Sequence, residues 1–534
     1  MATKALFPTF YDAETKIWSG LKKRRHYDPD CSAGEVFYCA LRNYPNLVIQ
    51  INDVDGSTVT SGQIRQWGIR LALYLQQEQL TQDDVVGIIA HSSKYIDPLV
   101  LACLLQATPF HAVNATRDAE TVTHLFAVTK PKIMFCDAAD YERIKDVTKA
   151  FAPKIITLTG RVPGVPHIED LLLQPVPGEA TYQPATLKRD GNQTAIILCS
   201  SGTAGLPKAV AISHYHILQI SPFCNSSDTI LTHATVDWAT GFIAIAISLL
   251  YGSSRVLYEG AYNAERFVQL IQKYKVTTLA MAPWQAYELF THPLATEESL
   301  ATIKMSFITG GWVALSVLQR AQRLTRACVM FSYGTTETGA ITVNIDHTLD
   351  NSVGRICPGL RIKIIDEDGN NLSHNQVGEI LIDIGSKWGG YLCNPEETAT
   401  TLRDGWFHLG DMGYFDQDNN LYIVDRKKDL LKYKSKHYWP TELEQIIAEL
   451  PDVQHVCVVG VRDPKHGDSA GALVIKKPGS PLTQQQIVEH VAQRVVVDYK
   501  QLNSGVQFVD SLPKNDNGKV LRSLARDQFE ALMK

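Results

Sequence analysis

Short apolar runs recur along the first 420 or so residues, each bounded by turn residues and separated by stretches with helical periodicity. Runs at residues 85–89, 132–136, 194–198, 304–309 and 328–332 read as buried strands. Strands alternating with helices predict layered α/β structure. Several runs end in glycine- or hydroxyl-rich turns, where open α/β sheets place ligands. Between residues 359 and 384 the strands shorten, with turns at Asp366-Glu367-Asp368-Gly369 and Val377-Gly378, which predicts a β-rich subdomain. The apolar run 241–250 is too short to span a bilayer and reads as a buried helix.

A dense charge run, Asp425-Arg426-Lys427-Lys428-Asp429, marks a domain boundary and divides the chain into residues 1–425 and 426–534. Beyond it, Thr441 and Glu444 have capping-box spacing ahead of Leu443, Ile446, Ile447 and Leu450, which share one helical face. A strand follows at 455–461. A second capped helix begins at Thr483 and Gln486, with Ile487, Val488, Val491 and Val495 inward. These elements predict a small α+β domain of roughly 100 residues.

At 534 residues the chain is too long for one core. Its 45% hydrophobic and 20% charged content is that of a globular protein. A net charge of −5 argues against a nucleic-acid partner held by electrostatics, and Lys22-Lys23-Arg24-Arg25 reads as a solvated helix end. The ten cysteines form no C-x-x-C pair, so neither a zinc site nor a disulfide scaffold is indicated and a reducing compartment fits best. No secretory signal layout or transmembrane segment is expected. The expected location is the cytoplasm, or the peroxisome despite a tail, Ala-Leu-Met-Lys, that is not Ser-Lys-Leu.

The richest chemistry lies at Leu198-Cys199-Ser200-Ser201-Gly202-Thr203-Ala204-Gly205-Leu206-Pro207-Lys208-Ala209. Glycines admit close approach of backbone N–H groups to an anion, hydroxyls donate further bonds, and lysine supplies a point charge. The pattern suits a phosphate chain, although it is not a G-x-x-x-x-G-K-[ST] loop; read alone, it also fits an ordinary surface loop. Three further segments follow: Tyr333-Gly334-Thr335-Thr336-Glu337, read as a glycine turn; Trp406 to Asp411 ahead of Asp425-Arg426; and Gly518-Lys519 near the far end. Taken singly, Glu337 reads equally as a helix cap, Asp411 as a turn former and Lys519 as a solvated lysine.

In this order the four segments resemble the adenylate-forming superfamily of acyl-CoA synthetases, 4-coumarate–CoA ligases, insect luciferases and peptide-synthetase adenylation domains. The resemblance spans about residues 30 to 530. It implies a large N-terminal domain of layered α/β subdomains plus a β-rich subdomain, followed by a small mobile α+β C-terminal domain. It also implies activation of a carboxylic acid with ATP and Mg²⁺, then transfer to the thiol of CoA. By the same resemblance Ser200, Ser201, Gly202, Thr203 and Lys208 hold the β- and γ-phosphates. Tyr333, Gly334 and Thr336 lie at the nucleotide, with Thr336 on the α-phosphate, and Glu337 holds Mg²⁺. Asp411 takes the ribose hydroxyls with Arg426 assisting, and Lys519 bridges the reacting carboxylate and the α-phosphate. Lys428 is the implied hinge, while Lys432 and Lys434 face the thiolation tunnel. Trp238, Gly310, Gly311 and Trp312 line the acyl pocket.

Departures from the family pattern are Ala204, Ala209, Ser435 and Trp312. Ala204 removes a phosphate donor, Ala209 and Ser435 replace glycines, and Trp312 either narrows the pocket or packs outward. Trp238 stands where luciferases carry histidine. The leading expectation is a ligase for a medium- or long-chain fatty acid or another hydrophobic acid. Its contrast is a catalytically degenerate, luciferase-like paralogue that binds nucleotide without ligase turnover.

Overall fold

The computed structural model describes residues 6–24, 26–200, 206–220, 223–347, 352–433, 436–463, 467–495, 497–514 and 518–533. Three sheets organise them. The first has six strands in the order Ala209–Ser213, Thr194–Cys199, Phe110–Ala112, Val86–Ile89, Ile133–Cys136 and Lys154–Thr157. All neighbours are parallel except the hairpin of Thr194–Cys199 with Ala209–Ser213. The helix Ile96–Gln106 is apolar on every side and buried at every residue, as such a composition requires. Phe37, Ile64, Leu101, Phe110, Ile196 and Ile245 belong to the core it shares. The run expected to be a buried helix is Ala239–Tyr251.

The second sheet has sixteen strands and changes character along its length. Val48–Asn52, Ser254–Leu257, Thr229–Thr232, Thr278–Met281, Met305–Thr309 and Cys328–Thr335 are parallel neighbours. From Gly339–Asn344 onward the neighbours are antiparallel. The β-rich stretch is here: Arg361–Ile365 pairs with Gly378–Asp383, in register Arg361↔Asp383. It continues the same sheet as the parallel strands.

The third sheet joins Lys436–Tyr438, Leu431–Tyr433, Gly467–Lys476, Val453–Asp463 and Gly505–Phe508. One core gathers Leu443, Ile447, Val458, Val474, Ile487 and Val491, and another joins Cys457, Val459 and Leu473 to Ala525 and Phe529 of the helix Arg522–Leu532. Each large apolar side chain buried this way contributes about 1.5–3 kcal/mol. The Thr483–Gln486 capping box forms; the one expected at Thr441 and Glu444 does not. The helix Pro440–Ala448 starts after Trp439 without a side-chain cap. Thr441 instead donates its hydroxyl to Asp425 Oδ2 at 2.5 Å, and Glu444 accepts the Val458 N–H at 2.8 Å. Tertiary partners outcompeted the local cap. Nor is the basic run at residues 22–24 helical: the Lys23 amine donates to the Gln219 carbonyl at 2.9 Å. No helix among the described residues is long and apolar enough to cross a membrane.

Candidate active site

The hairpin of Thr194–Cys199 and Ala209–Ser213 brings Ser200 and Lys208 together, and the Ser200 N–H donates to the Lys208 carbonyl at 2.9 Å. Ser201, Gly202, Thr203 and Ala204 lie outside the described residues. Ala209 sits within a strand and is absent from the positive-φ residues, so it carries none of the strain a replaced glycine could impose. Segment 390–392 runs beside this strand, through Ala211 N–H to the Gly390 carbonyl and Leu392 N–H to the Ala209 carbonyl. It delivers Tyr391, which the sequence reading missed. Lys208 Nζ stands 4.8 Å from the Tyr391 ring centroid and pairs with Glu397, while the Tyr391 hydroxyl donates to Glu337 Oε1 at 2.7 Å. Burial, then Glu337, raises the Tyr391 pKa and keeps its proton in place. The available sequence signal was Gly389-Gly390-Tyr391, directly ahead of Asn394-Pro395, where the Asn394 side chain caps the helix Pro395–Thr401.

Tyr333 and Gly334 do not form the expected turn. They continue the strand Cys328–Thr335, which pairs antiparallel with Gly339–Asn344. The turn falls at residues 336–338, where Thr338 N–H and the Thr335 hydroxyl close it. A register shift lies between Tyr333 and Gly334, and a Cβ on Gly334 would strike the Gly339 carbonyl. Thr336 and Glu337 are therefore half-buried at the tip of a hairpin.

Asp411 lies on the strand Trp406–Phe415, directly across from Arg426 on Leu421–Arg426. The carboxylate is 4% exposed. Tyr333 Oη donates to its Oδ2 at 2.5 Å, and Arg426 Nε meets Oδ1 at 3.0 Å. Burying a carboxylate is costly unless such partners satisfy it. A pocket of about 260 Å³ opens beside the pair, lined by Leu409, Gly410, Arg426, Lys427 and Lys428.

Lys519 arrives from the C-terminal end of the chain. The charges acting on its amine are Arg426, Asp411, Asp429 and Lys428, and burial, the largest influence, brings its pKa down to about 8. Its loop is closed by the Leu521 N–H to Pro513 carbonyl bond at 2.8 Å, and Gly518, at φ +71°, fits against Trp284. Lys428 sits in the turn Lys427–Asp429, where burial lowers its pKa. Lys432 is exposed on Leu431–Tyr433, its N–H donated to Asp468 Oδ2 at 3.0 Å. Lys434 and Ser435 lie outside the described residues.

Of the acyl-pocket candidates, Trp238 is half-buried at the N-cap of Ala239–Tyr251, its N–H bonded to the Thr235 carbonyl at 3.1 Å. Gly310, at φ +101°, and Gly311 follow the strand Met305–Thr309. Trp312 is 52% exposed.

Comparison with known proteins identifies the family. The AMP-binding enzyme family matches residues 38–392, and the AMP-binding enzyme C-terminal domain matches residues 442–519. Luciferin 4-monooxygenase of Luciola mingrelica is 27% identical over 93% of this chain and 94% of its own. The fatty acid–[acyl-carrier-protein] ligase ScoC of Streptomyces coeruleorubidus is 26% identical, covering 89% of this chain and 92% of its own. The crystal structure of ATP-bound MatB from Rhodopseudomonas palustris shares the fold at a TM-score of 0.82 and 23% identity, over 94% of this chain and all of that one. The chain belongs to the AMP-binding enzymes, the adenylate-forming superfamily.

Proposed function

We propose that this protein is an ATP-dependent acid–thiol ligase that activates a medium- or long-chain fatty acid, or another hydrophobic carboxylic acid, and passes it to CoA. The observation that carries this reading is the convergence of Lys519 with the Asp411–Arg426 pair. A buried lysine from near the end of the chain that feels the charges of Asp411 and Arg426 suits a site where two anions must meet.

In the first step a carboxylate oxygen attacks the α-phosphorus of ATP, the P–O bond to pyrophosphate breaks, and an acyl-adenylate forms. Such a step is governed by positioning and charge stabilisation rather than by a protein nucleophile. Lys519 would hold the two anions together, Asp411 would accept from the ribose hydroxyls, and Thr336 would meet the α-phosphate. Ser200, Ser201, Gly202, Thr203 and Lys208 would take the outer phosphates. The half-buried Glu337 carboxylate, fixed by Tyr391, is an oxygen donor of the kind Mg²⁺ prefers. When bound there, the ion would offset phosphate charge.

In the second step the C-terminal unit, taken as residues 426–534, would turn about Lys428 and bring Lys432 and Lys434 to the CoA passage. The thiol sulfur then attacks the acyl carbon, the bond to AMP breaks, and the thiol proton passes to solvent. The relative named as a fatty-acid ligase supports the acid class, and the cytoplasm is the proposed location.

The test is incubation of purified protein with Mg-ATP, CoA and a graded series of fatty acids, with acyl-CoA detected by mass spectrometry. Acyl-CoA that is lost in Lys519→Ala establishes the ligase. Nucleotide binding without acid-dependent pyrophosphate release would establish the degenerate paralogue instead.

A further inference from the structure

Among the described residues, Lys208 is not held as an open cation. Its amine pairs with Glu397, on the first turn of the helix Pro395–Thr401, and lies over the Tyr391 ring, whose hydroxyl binds Glu337. The cluster therefore sets one ammonium against two carboxylates and is net negative. Its parts are fixed: the Asn394 side chain caps the helix through the Glu397 N–H at 3.1 Å, and the Tyr391 N–H donates to Thr398 Oγ1 at 2.9 Å. None of the sequence motifs pointed to Glu397.

We infer that Glu397 couples nucleotide binding to the divalent cation, so that the cluster refuses a bare polyphosphate and admits a metal-complexed one. This rests on the reading that Lys208 meets the nucleotide's phosphates. To do so, the amine must either leave Glu397 or draw the phosphates to within a few ångströms of that carboxylate. In both cases Glu337 and Glu397 face an anion, and like charges at such range are unfavourable. A divalent counter-ion on the phosphates removes the repulsion, and with it the advantage of deleting Glu397. Glu397 is thus a positioning residue whose effect differs between the two forms of the same ligand.

The experiment is calorimetric titration of the full chain with ATP in excess EDTA and with Mg-ATP. Glu397→Ala should bind metal-free ATP about tenfold more tightly than the unaltered protein, while its Mg-ATP affinity moves by less than about threefold. Glu397→Gln, which keeps the side chain's length and its place in the helix, should give the same direction and serves if the alanine variant folds poorly. Glu396→Ala, which removes a charge from the same turn at an exposed position, should leave the ratio of the two affinities unchanged. An unchanged ratio in both Glu397 variants, with Mg-ATP still bound, overturns this inference and leaves the ligase reading intact. Failure of the unaltered protein to bind either form overturns both.

Discussion

The phenol of Tyr333 donates to Asp411 Oδ2 at 2.5 Å, tying the last residues of a parallel strand to the antiparallel half of the same sheet. Burial and the neighbouring carboxylate keep Tyr333 protonated far above its usual range, so it acts as a donor at every working pH. Arg426 occupies the other oxygen. With Oδ1 and Oδ2 each engaged, the orientation of the carboxylate is held, which would suit the proposed recognition of the ribose hydroxyls. Tyr333→Phe removes the donor that orients Asp411, so it should weaken Mg-ATP binding by up to about tenfold, while the lost bond to a charged group costs about 1.5–3 kcal/mol of stability. Asp411→Ala should also lower thermal stability, because it strands Arg426 and Tyr333 and breaking a buried pair costs about 3–5 kcal/mol. Calorimetric titration and thermal unfolding of the two variants separate the effects.

If Lys519 serves adenylation as proposed, the first half-reaction should be sensitive to alkali. Its folded pKa of about 8 lies below the ordinary 10.5, chiefly through burial and next through Arg426. Below pH 8 the amine is charged in both folded and unfolded chains, and the cost of burying that charge is fully present. Between pH 8 and 10.5 the folded form has shed its proton while the unfolded form has not, so this site's contribution to stability improves as pH rises. The proposed catalytic role runs the other way, because holding two anions would need the ammonium. The kcat/KM of acid-dependent pyrophosphate release should therefore fall through a limb near pH 8. Lys519→Arg should move that limb upward out of the range, and Lys519→Ala should lose about 10²–10³ in rate. A limb unmoved by Lys519→Arg would assign it to another group.

Legibility in the sequence followed the range of the forces involved. The strands Val86–Ile89 and Ile133–Cys136 were readable because burial at every position dictates a short apolar run. Asp411, Arg426 and Lys519 were readable as a set through their order along the chain, and their charges meet in the structure. What failed depended on distant partners. Thr441 has the right spacing for a cap, yet its hydroxyl goes to Asp425, 16 residues back. Glycine at 334 looks like a turn, but it serves the close approach of a neighbouring strand. The local signal at Gly389-Gly390-Tyr391 marks a turn ahead of a helix and nothing more; the meaning of Tyr391 and Glu397 arises only once segment 390–392 lies along Ala209–Ser213.

Gly518 offers a direct test of whether docking of the C-terminal loop, rather than the presence of a lysine, makes the site. Its φ of +71° is a conformation that L side chains rarely adopt, and a Cβ there would strike the Trp284 ring. That ring is packed edge-on against Tyr262, with centroids 5.0 Å apart, so it cannot simply swing aside. Gly518→Ala should therefore lift Lys519 away from Asp411 and Arg426. The core around Phe529 and Leu473 lies elsewhere and should stay folded. The expected outcome is a loss of acid-dependent pyrophosphate release approaching that of Lys519→Ala, about 10²-fold. Pairing it with Trp284→Ala relieves the clash but leaves the backbone strain of roughly 1–2 kcal/mol, so recovery should be partial. Full activity in Gly518→Ala, measured by pyrophosphate release with the circular dichroism spectrum unchanged, would show that the adenylation step does not depend on this docked arrangement.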